Sequence, residues 1–246
     1  MARKLRKDFL NPRYSSWLNK EKASLFSLES YRKSLLASCP NYIVIDHLFN
    51  EIKLDQVINA LQQPNAWITQ KHTYSALYVD DDQWQNTHKN ERFVQRDVWN
   101  RDKYSLPNSD IAQEFLSFLR GDEFMSLLSR IFNVSLTDLN VATPEINTNY
   151  FRLSTKDFVE QHADDSPGRE VCMLLYLNKD WKDDYEAGGE LVFIGNNENP
   201  IRIVPLYNRC VLFDPSSKGS EHWVAKLNAE SSNLYRYNIT SWYWSE

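Results

Sequence analysis

Cysteine is scarce in this chain: Cys39, Cys172 and Cys210 are an odd number, widely spaced, with no CxxC pair and no Cys/His cluster. A thiolate zinc site is therefore not expected. Cys172 and Cys210 sit in apolar runs and read as small buried hydrophobes. No apolar run approaches the roughly 18 residues that cross a bilayer. The basic cluster Arg3, Lys4, Arg6 and Lys7 is followed by no apolar stretch of signal-peptide type, and reads as a solvated face. Internal repeats, low-complexity tracts and a clear interdomain linker are all lacking. Net charge is −5, which gives no general reason to bind nucleic acid or an anionic membrane. The expectation is a soluble protein of the reducing cytoplasm, with a homodimer neither required nor excluded.

Aromatic residues are plentiful by contrast, with eight Trp, thirteen Tyr and twelve Phe against six Gly. A hydrophobic content of 42% and a charged content of 25% are ordinary for a globular chain, and 246 residues suit one well-packed domain.

Residues 1–40 are polar and basic, and read as a lead-in segment with a helix near Leu28–Ser38. They could serve as a lid, a dimer contact or a loose tail. Tyr42–Ile45 is a short β-branched strand. Leu54, Val57, Ile58 and Leu61 then recur at helical spacing, with Pro64 closing that helix. Trp67–Tyr78 has strand character, Asp80–Asn90 reads as a polar loop, and Phe93–Trp99 alternates again. Helices are expected over Ser109–Leu119 and Asp122–Phe132, so residues 41–137 form a helical support region. From residue 138 to 246 strands dominate: Glu145–Arg152, Asp157–His162, Val171–Leu177, Gly188–Ile194, Ile201–Val204, Arg209–Phe213 and Tyr235–Trp244. Short strands separated by turn signals predict an α+β, mainly β chain, a sandwich or barrel with helices outside.

Within that region His162-Ala163-Asp164 is followed, 58 residues beyond the carboxylate, by His222. Two imidazoles and a carboxylate on one face of a metal leave the opposite positions open, as in non-heme Fe(II) oxygenases. Taken singly, each residue also has an ordinary explanation: a satisfied histidine, a turn aspartate, a surface histidine.

The order of the surrounding motifs is more specific. His162-Ala163-Asp164, Ala187-Gly188-Gly189-Glu190-Leu191, Pro205, Val211-Leu212-Phe213, His222 and Arg236-Tyr237-Asn238-Ile239-Thr240-Ser241-Trp242 together resemble the iron- and 2-oxoglutarate-dependent dioxygenases, in their prolyl-hydroxylase-like branch. The resemblance covers residues 145–244, with Tyr42–Leu61 similar to the usual lead-in strand and helix. It implies a double-stranded β-helix (a jelly roll of cupin type) with flanking N-terminal helices. It also implies His162, Asp164 and His222 as Fe(II) ligands, and Arg236 as the partner of the distal 2-oxoglutarate carboxylate. A guanidinium fork suits that role because it matches a carboxylate bidentately and stays charged when buried. Arg236 stands 14 residues after His222, longer than in many relatives, and Lys226 is a weaker candidate for the anion.

Alternation along the last strand puts Asn238, Thr240 and Trp242 on the Arg236 face. A buried amide and hydroxyl need partners, so Asn238 and Thr240 either contact cofactor or substrate or bond to the barrel wall. Trp242, Tyr243 and Trp244 read as pocket wall or, more simply, as core.

Glu145, Asp165, Asn238 and Thr240 extend the resemblance to the enzymes that hydroxylate or halogenate free lysine and similar basic amino acids. It implies Glu145 and Asp165 on the substrate's side-chain ammonium, Asn238 and Thr240 helping to place it, and Arg96 on its carboxylate. In halogenases of this kind a small residue replaces the metal carboxylate and frees a position for chloride. Asp164 fills that position, so the resemblance implies hydroxylation, with O2 as oxidant and succinate and CO2 released. The expected partner is a free basic amino acid, most simply L-lysine. Two alternatives stand: hydroxylation of a prolyl or other side chain in a peptide or protein, and a non-catalytic jelly-roll binding module.

Overall fold

The computed structural model describes residues 16–62, 67–101, 109–139, 141, 143–196, 199–228 and 235–245. Helix α1 (Leu25–Ala37) is capped by the Ser24 hydroxyl, which accepts from the Ser27 amide. It leads into strand β1 (Tyr42–Asp46) and helix α2 (Glu51–Leu61), whose Asn50 cap accepts from the Lys53 amide. Leu54, Val57, Ala60 and Leu61 make its buried stripe. Pro64, expected to end this helix, lies outside the described residues.

A hairpin of β2 (Trp67–Thr73) and β3 (Arg92–Trp99) follows. The segment between them, expected to be a loop, contains a short helix, α3 (Asp81–Asn86). Asp80 accepts from the Gln83 amide while the Gln83 side chain accepts from the Asp80 amide, a capping box that satisfies otherwise unpaired helix-end donors. Helices α4 (Ser109–Leu119) and α5 (Asp122–Phe132) have the bounds their apolar periodicity predicts.

Short strand β4 (Leu136–Thr137) precedes the strand-rich region of β5 (Thr148–Leu153), β6 (Phe158–Val159), β7 (Arg169–Tyr176), β8 (Leu191–Phe193), β9 (Ile201–Ile203), β10 (Arg209–Phe213), β11 (His222–Val224) and β12 (Arg236–Ser245). Several expected strands are shorter here, Gly188–Ile194 and Ile201–Val204 being reduced to β8 and β9. Residues 144–147, including Glu145, form a 3-10 turn instead of the start of β5, since Pro144 has no amide to give a ladder. Of Asp157–His162 only Phe158–Val159 is strand, and His162 makes an isolated bridge.

The larger sheet runs β1-β10-β7-β12-β5-β3-β2, with β4 beside β12 and β6 beside β3; the smaller runs β11-β8-β9. Strands β1, β2 and β3 from the support region thus belong to the same sheet as the strand-rich region. β12 lies between β7 and β5 and pairs with both over most of its length.

The continuous apolar run of β7 is explained by what covers each face. Val171, Met173 and Leu175 face a core that includes Leu28 and Leu35 of α1, Leu54 of α2, Phe115 of α4 and Phe124 of α5. Cys172, Leu174 and Tyr176, on alternate positions, join Leu191, Phe193 and Ile203 of the smaller sheet. A strand covered on both faces has no reason to alternate in polarity. The chain is therefore a β-sandwich of jelly-roll type with helices packed on the outer face of its larger sheet, an α+β, mainly β architecture as expected. Its inner face carries the polar side chains Arg236, Asn238 and Thr240 of β12 and Arg96 of β3.

Candidate active site

His162 and His222 face each other across a two-residue bridge, each backbone amide donating to the other's carbonyl at 2.9 Å. Their ring centroids are 4.3 Å apart. In each ring Nδ1 is 2.9 Å from a backbone carbonyl, that of Glu160 for His162 and of Ser220 for His222. A carbonyl can only accept, so both Nδ1 atoms carry the proton and both Nε2 atoms offer a lone pair.

Asp164 completes the group. Its Oδ1 is 3.7 Å from His162 Nε2 and its Oδ2 is 3.7 Å from His222 Nε2. The three ligating atoms all lie within 4.8 Å of one another. Burial pushes His222 down to about 4, with the neighbouring His162 adding to the effect, so the ring is an uncharged ligand at neutral pH. Burial alone would raise the Asp164 carboxyl. The pull of His222, His162, the Trp242 N–H and Arg169 outweighs it and holds the group below the usual carboxylate range. Two imidazoles and one carboxylate are the donor set that suits a divalent iron with open positions.

Asp164 is itself held from several sides. Trp242 Nε1 donates to its Oδ2 at 2.9 Å, the buried Cys172 thiol lies 3.6 Å from the same oxygen, and Arg169 donates to its backbone carbonyl. The Trp242 contact was not foreseen in this form: besides packing against the inner core, the tryptophan donates to the candidate metal carboxylate.

Arg236, at the other end of the same strand face, is 1% exposed. Its Nε donates to the Gly189 carbonyl at 2.6 Å and its Nη1 to Asn238 Oδ1 at 2.8 Å, while Nη2 has no partner. Its guanidinium carbon lies 4.9 Å over the centre of the Tyr176 ring, and the buried Tyr176 hydroxyl interacts with the same guanidinium. A guanidinium and a phenol hydroxyl placed together in this way can both donate to one carboxylate.

The Gly188-Gly189 pair makes this arrangement possible. Both have positive φ (73° and 77°), and a Cβ on Gly188 would meet the Lys226 carbonyl oxygen at 2.0 Å. A Cβ on Gly189 would meet Trp181 at 2.9 Å and the Arg236 side chain at 3.2 Å.

Asn238 and Thr240 face inward and are buried, as strand alternation requires. They are bonded to each other, Asn238 Nδ2 donating to Thr240 Oγ1 at 3.0 Å, so Arg236, Asn238 and Thr240 form one hydrogen-bonded row. Each thus has a protein partner within the row. Lys226 is exposed and makes no part of this row.

Arg96 stands on the inner face of β3, with its guanidinium 3.6 Å over the Phe151 ring and its Nε unpartnered. Burial lowers it to about 10, a shift opposed mainly by the negative charge of Asp164. Asp165, by contrast, is exposed and accepts from the Ser216 hydroxyl at 3.2 Å, outside the three-ligand group. The Glu145 side chain lies outside the described residues. Of the acidic pair expected from Glu145 and Asp165, only Asp165 is therefore placed among the described side chains.

Tyr176 escaped the sequence reading. It ends an apolar run, and only its ladder position opposite Asn238 brings it under Arg236. A tyrosine hydroxyl at an inward, alternate position was the one signal available.

Residues 148–244 match the family model described as the 2OG-Fe(II) oxygenase superfamily. A prolyl 3-hydroxylase of Mus musculus is 27% identical over 132 residues, 51% of this chain and 22% of that protein, so the chain matches about a fifth of that relative's length. A prolyl-4-hydroxylase structure from Pseudomonas putida superposes with a TM-score of 0.56 at 14% identity, covering 89% of this chain and 99% of that one. A Trichoplax adhaerens prolyl hydroxylase, solved with a hypoxia inducible factor peptide, gives 0.56 at 20% identity, covering 90% and 94%. At such identities the structural likeness carries the fold. The sequence match spans His162, Asp164, His222 and Arg236, so residues 148–244 are similar to the 2OG-Fe(II) oxygenase superfamily, and the fold resembles that of the prolyl hydroxylases.

Proposed function

We propose that this chain is an Fe(II)- and 2-oxoglutarate-dependent hydroxylase acting on a C–H bond of a free amino acid, with L-lysine the first candidate. His162, Asp164 and His222 would hold the iron, and Arg236 with Tyr176 would hold the distal carboxylate of 2-oxoglutarate. Bound there, iron and 2-oxoglutarate supply the oxidising power, consuming O2 and releasing succinate and CO2. The protein's own work is to orient one C–H bond and exclude competing groups.

Arg96 is the observation that supports a free amino acid. It is a buried guanidinium on the inner face beside Asp164, with an unpartnered Nε. A free amino acid brings a carboxylate to it, whereas a prolyl residue inside a peptide brings none. Asp165 and Glu145 remain the candidates for a side-chain ammonium, and engaging Asp165 would require it to leave Ser216.

The second reading is hydroxylation of a prolyl side chain in a peptide. It is supported by the sequence match to a prolyl 3-hydroxylase.

One assay separates them. Purified protein with Fe(II), 2-oxoglutarate and ascorbate is offered the twenty amino acids and prolyl peptides, and succinate is measured. Succinate coupled to a +16 Da product of lysine or another free amino acid supports the first reading. Turnover with peptides alone supports the second. No turnover at full iron occupancy would return the chain to a non-catalytic binding role.

A further inference from the structure

Next to Arg96 lies a second buried nitrogen without a hydrogen-bond partner, Nε2 of His72, a residue 6% exposed. The β2–β3 ladder pairs Gln70 with Arg96 and His72 with Val94. His72 and Arg96 are thus diagonal neighbours on one face, about 7–8 Å apart at the backbone. That face is the inner one, since Val98, two residues on from Arg96, pairs with Phe151, which in turn pairs with Asn238.

Aromatic rings fix His72 between the outside and the metal ligands. Its ring centroid is 4.7 Å from Tyr78 and 6.4 Å from Phe93, and Phe93 is edge-on to the metal-ligand candidate His162 at 5.0 Å. A phenylalanine would fill this aromatic niche without leaving a polar atom unpaired. Keeping histidine there, beside an arginine that is also short of a partner, leaves two unsatisfied groups at about 1–3 kcal/mol each. One ligand presenting an acceptor and a donor close together would satisfy both.

We propose that His72 and Arg96 together form the subsite for the α-amino acid head of the substrate, Arg96 binding the carboxylate and His72 accepting from the α-ammonium. The inference rests on the free-amino-acid reading above and deepens it by naming what recognises the head group. A guanidinium fork matches a carboxylate, and an uncharged imidazole keeps one nitrogen as an acceptor. Burial pushes His72 down to about 4 and the Arg96 charge adds to it, so the ring is uncharged at neutral pH and does not repel an ammonium. Carboxylate and ammonium sit on one carbon, which requires adjacent partners of opposite hydrogen-bonding sense.

The test is binding to the anaerobic Fe(II)–2-oxoglutarate complex by calorimetry, comparing lysine with 6-aminohexanoate, which lacks only the α-ammonium. Wild-type protein is expected to prefer lysine at least tenfold. His72→Phe should lose about tenfold for lysine and leave 6-aminohexanoate unchanged, whereas His72→Gln, which restores an acceptor, should recover most of the preference. Equal losses for both ligands in His72→Phe, an unchanged lysine affinity, or no recovery in His72→Gln would each make His72 a packing residue and overturn the inference alone. If wild-type protein binds metal and 2-oxoglutarate but none of the twenty free amino acids, the free-amino-acid reading falls and the inference with it.

Discussion

The indole N–H of Trp242 donates to Oδ2 of Asp164 at 2.9 Å across 78 residues of sequence. Because Trp242 and Arg236 share one face of β12, that strand carries the donor to the candidate metal carboxylate at one end and the proposed 2-oxoglutarate arginine at the other. The Arg120 guanidinium ties the Trp242 backbone carbonyl to Asp138 on β12's far side, holding the strand where both ends work.

Removing the clamp should loosen the metal. Partners of a ligating side chain typically contribute 10–100-fold to metal affinity. Trp242→Phe, which keeps the ring and deletes the N–H, is expected to weaken Fe(II) or Co(II) binding by that range, read by anaerobic metal titration. An affinity within twofold of wild type would show that Oδ2 needs no fixing.

Tyr176 should bear on 2-oxoglutarate alone. Its hydroxyl lies beside the Arg236 guanidinium, so Tyr176→Phe is expected to remove one hydrogen bond to the bound carboxylate. A charge-assisted bond of about 1.5–3 kcal/mol corresponds to roughly tenfold or more in affinity. The expected result is a raised KM for 2-oxoglutarate with unchanged metal affinity. A fall in metal affinity with the KM unmoved would reassign the residue.

Gly189→Ala tests the path of Arg236. The new methyl would sit 2.9 Å from Trp181 and 3.2 Å from Arg236 at a φ of +77°. Backbone strain of about 1–3 kcal/mol and a displaced guanidinium are expected. Lower thermal stability and a higher KM for 2-oxoglutarate should appear together. Loss of stability with an unchanged KM would separate the glycine from the anion site.

His72 should make stability pH-dependent. Its pKa in the folded protein is lowered to about 4, so between the ordinary histidine value near 6.5 and 4 the unfolded chain binds the proton first. Stability is then complete above about 6.5 and falls as the pH drops towards 4, by on the order of 3 kcal/mol at most. Urea midpoints of the metal-free protein at pH 7.5, 6, 5 and 4.5 should decline more steeply for wild type than for His72→Phe. Parallel declines would mean that another group carries the effect.

Much of the fold was legible because helices and strands announce themselves by period. Ser109–Leu119, Asp122–Phe132 and Arg209–Phe213 have the very bounds that apolar spacing gives. Asp81–Asn86 was missed because a six-residue helix held by one capping box has no apolar stripe to betray it. Glu145 was read into a strand because the alternation of Ile146, Thr148 and Tyr150 continues into β5 and outweighs the turn signal of Pro144.

The sequence by itself determined the metal trio, the arginine and the order of motifs around them. These are set by residue type and by strand alternation, which fixes which side chains share a face. Only the tertiary structure decided which partners those faces meet. Tyr176 comes beneath Arg236, Trp242 reaches Asp164 and His72 stands beside Arg96 because ladder register and sandwich closure join strands far apart in sequence. Asp165, adjacent to Asp164 in the chain, turns out to bond to Ser216 at the surface, since chain neighbours in a loop share no obligatory direction.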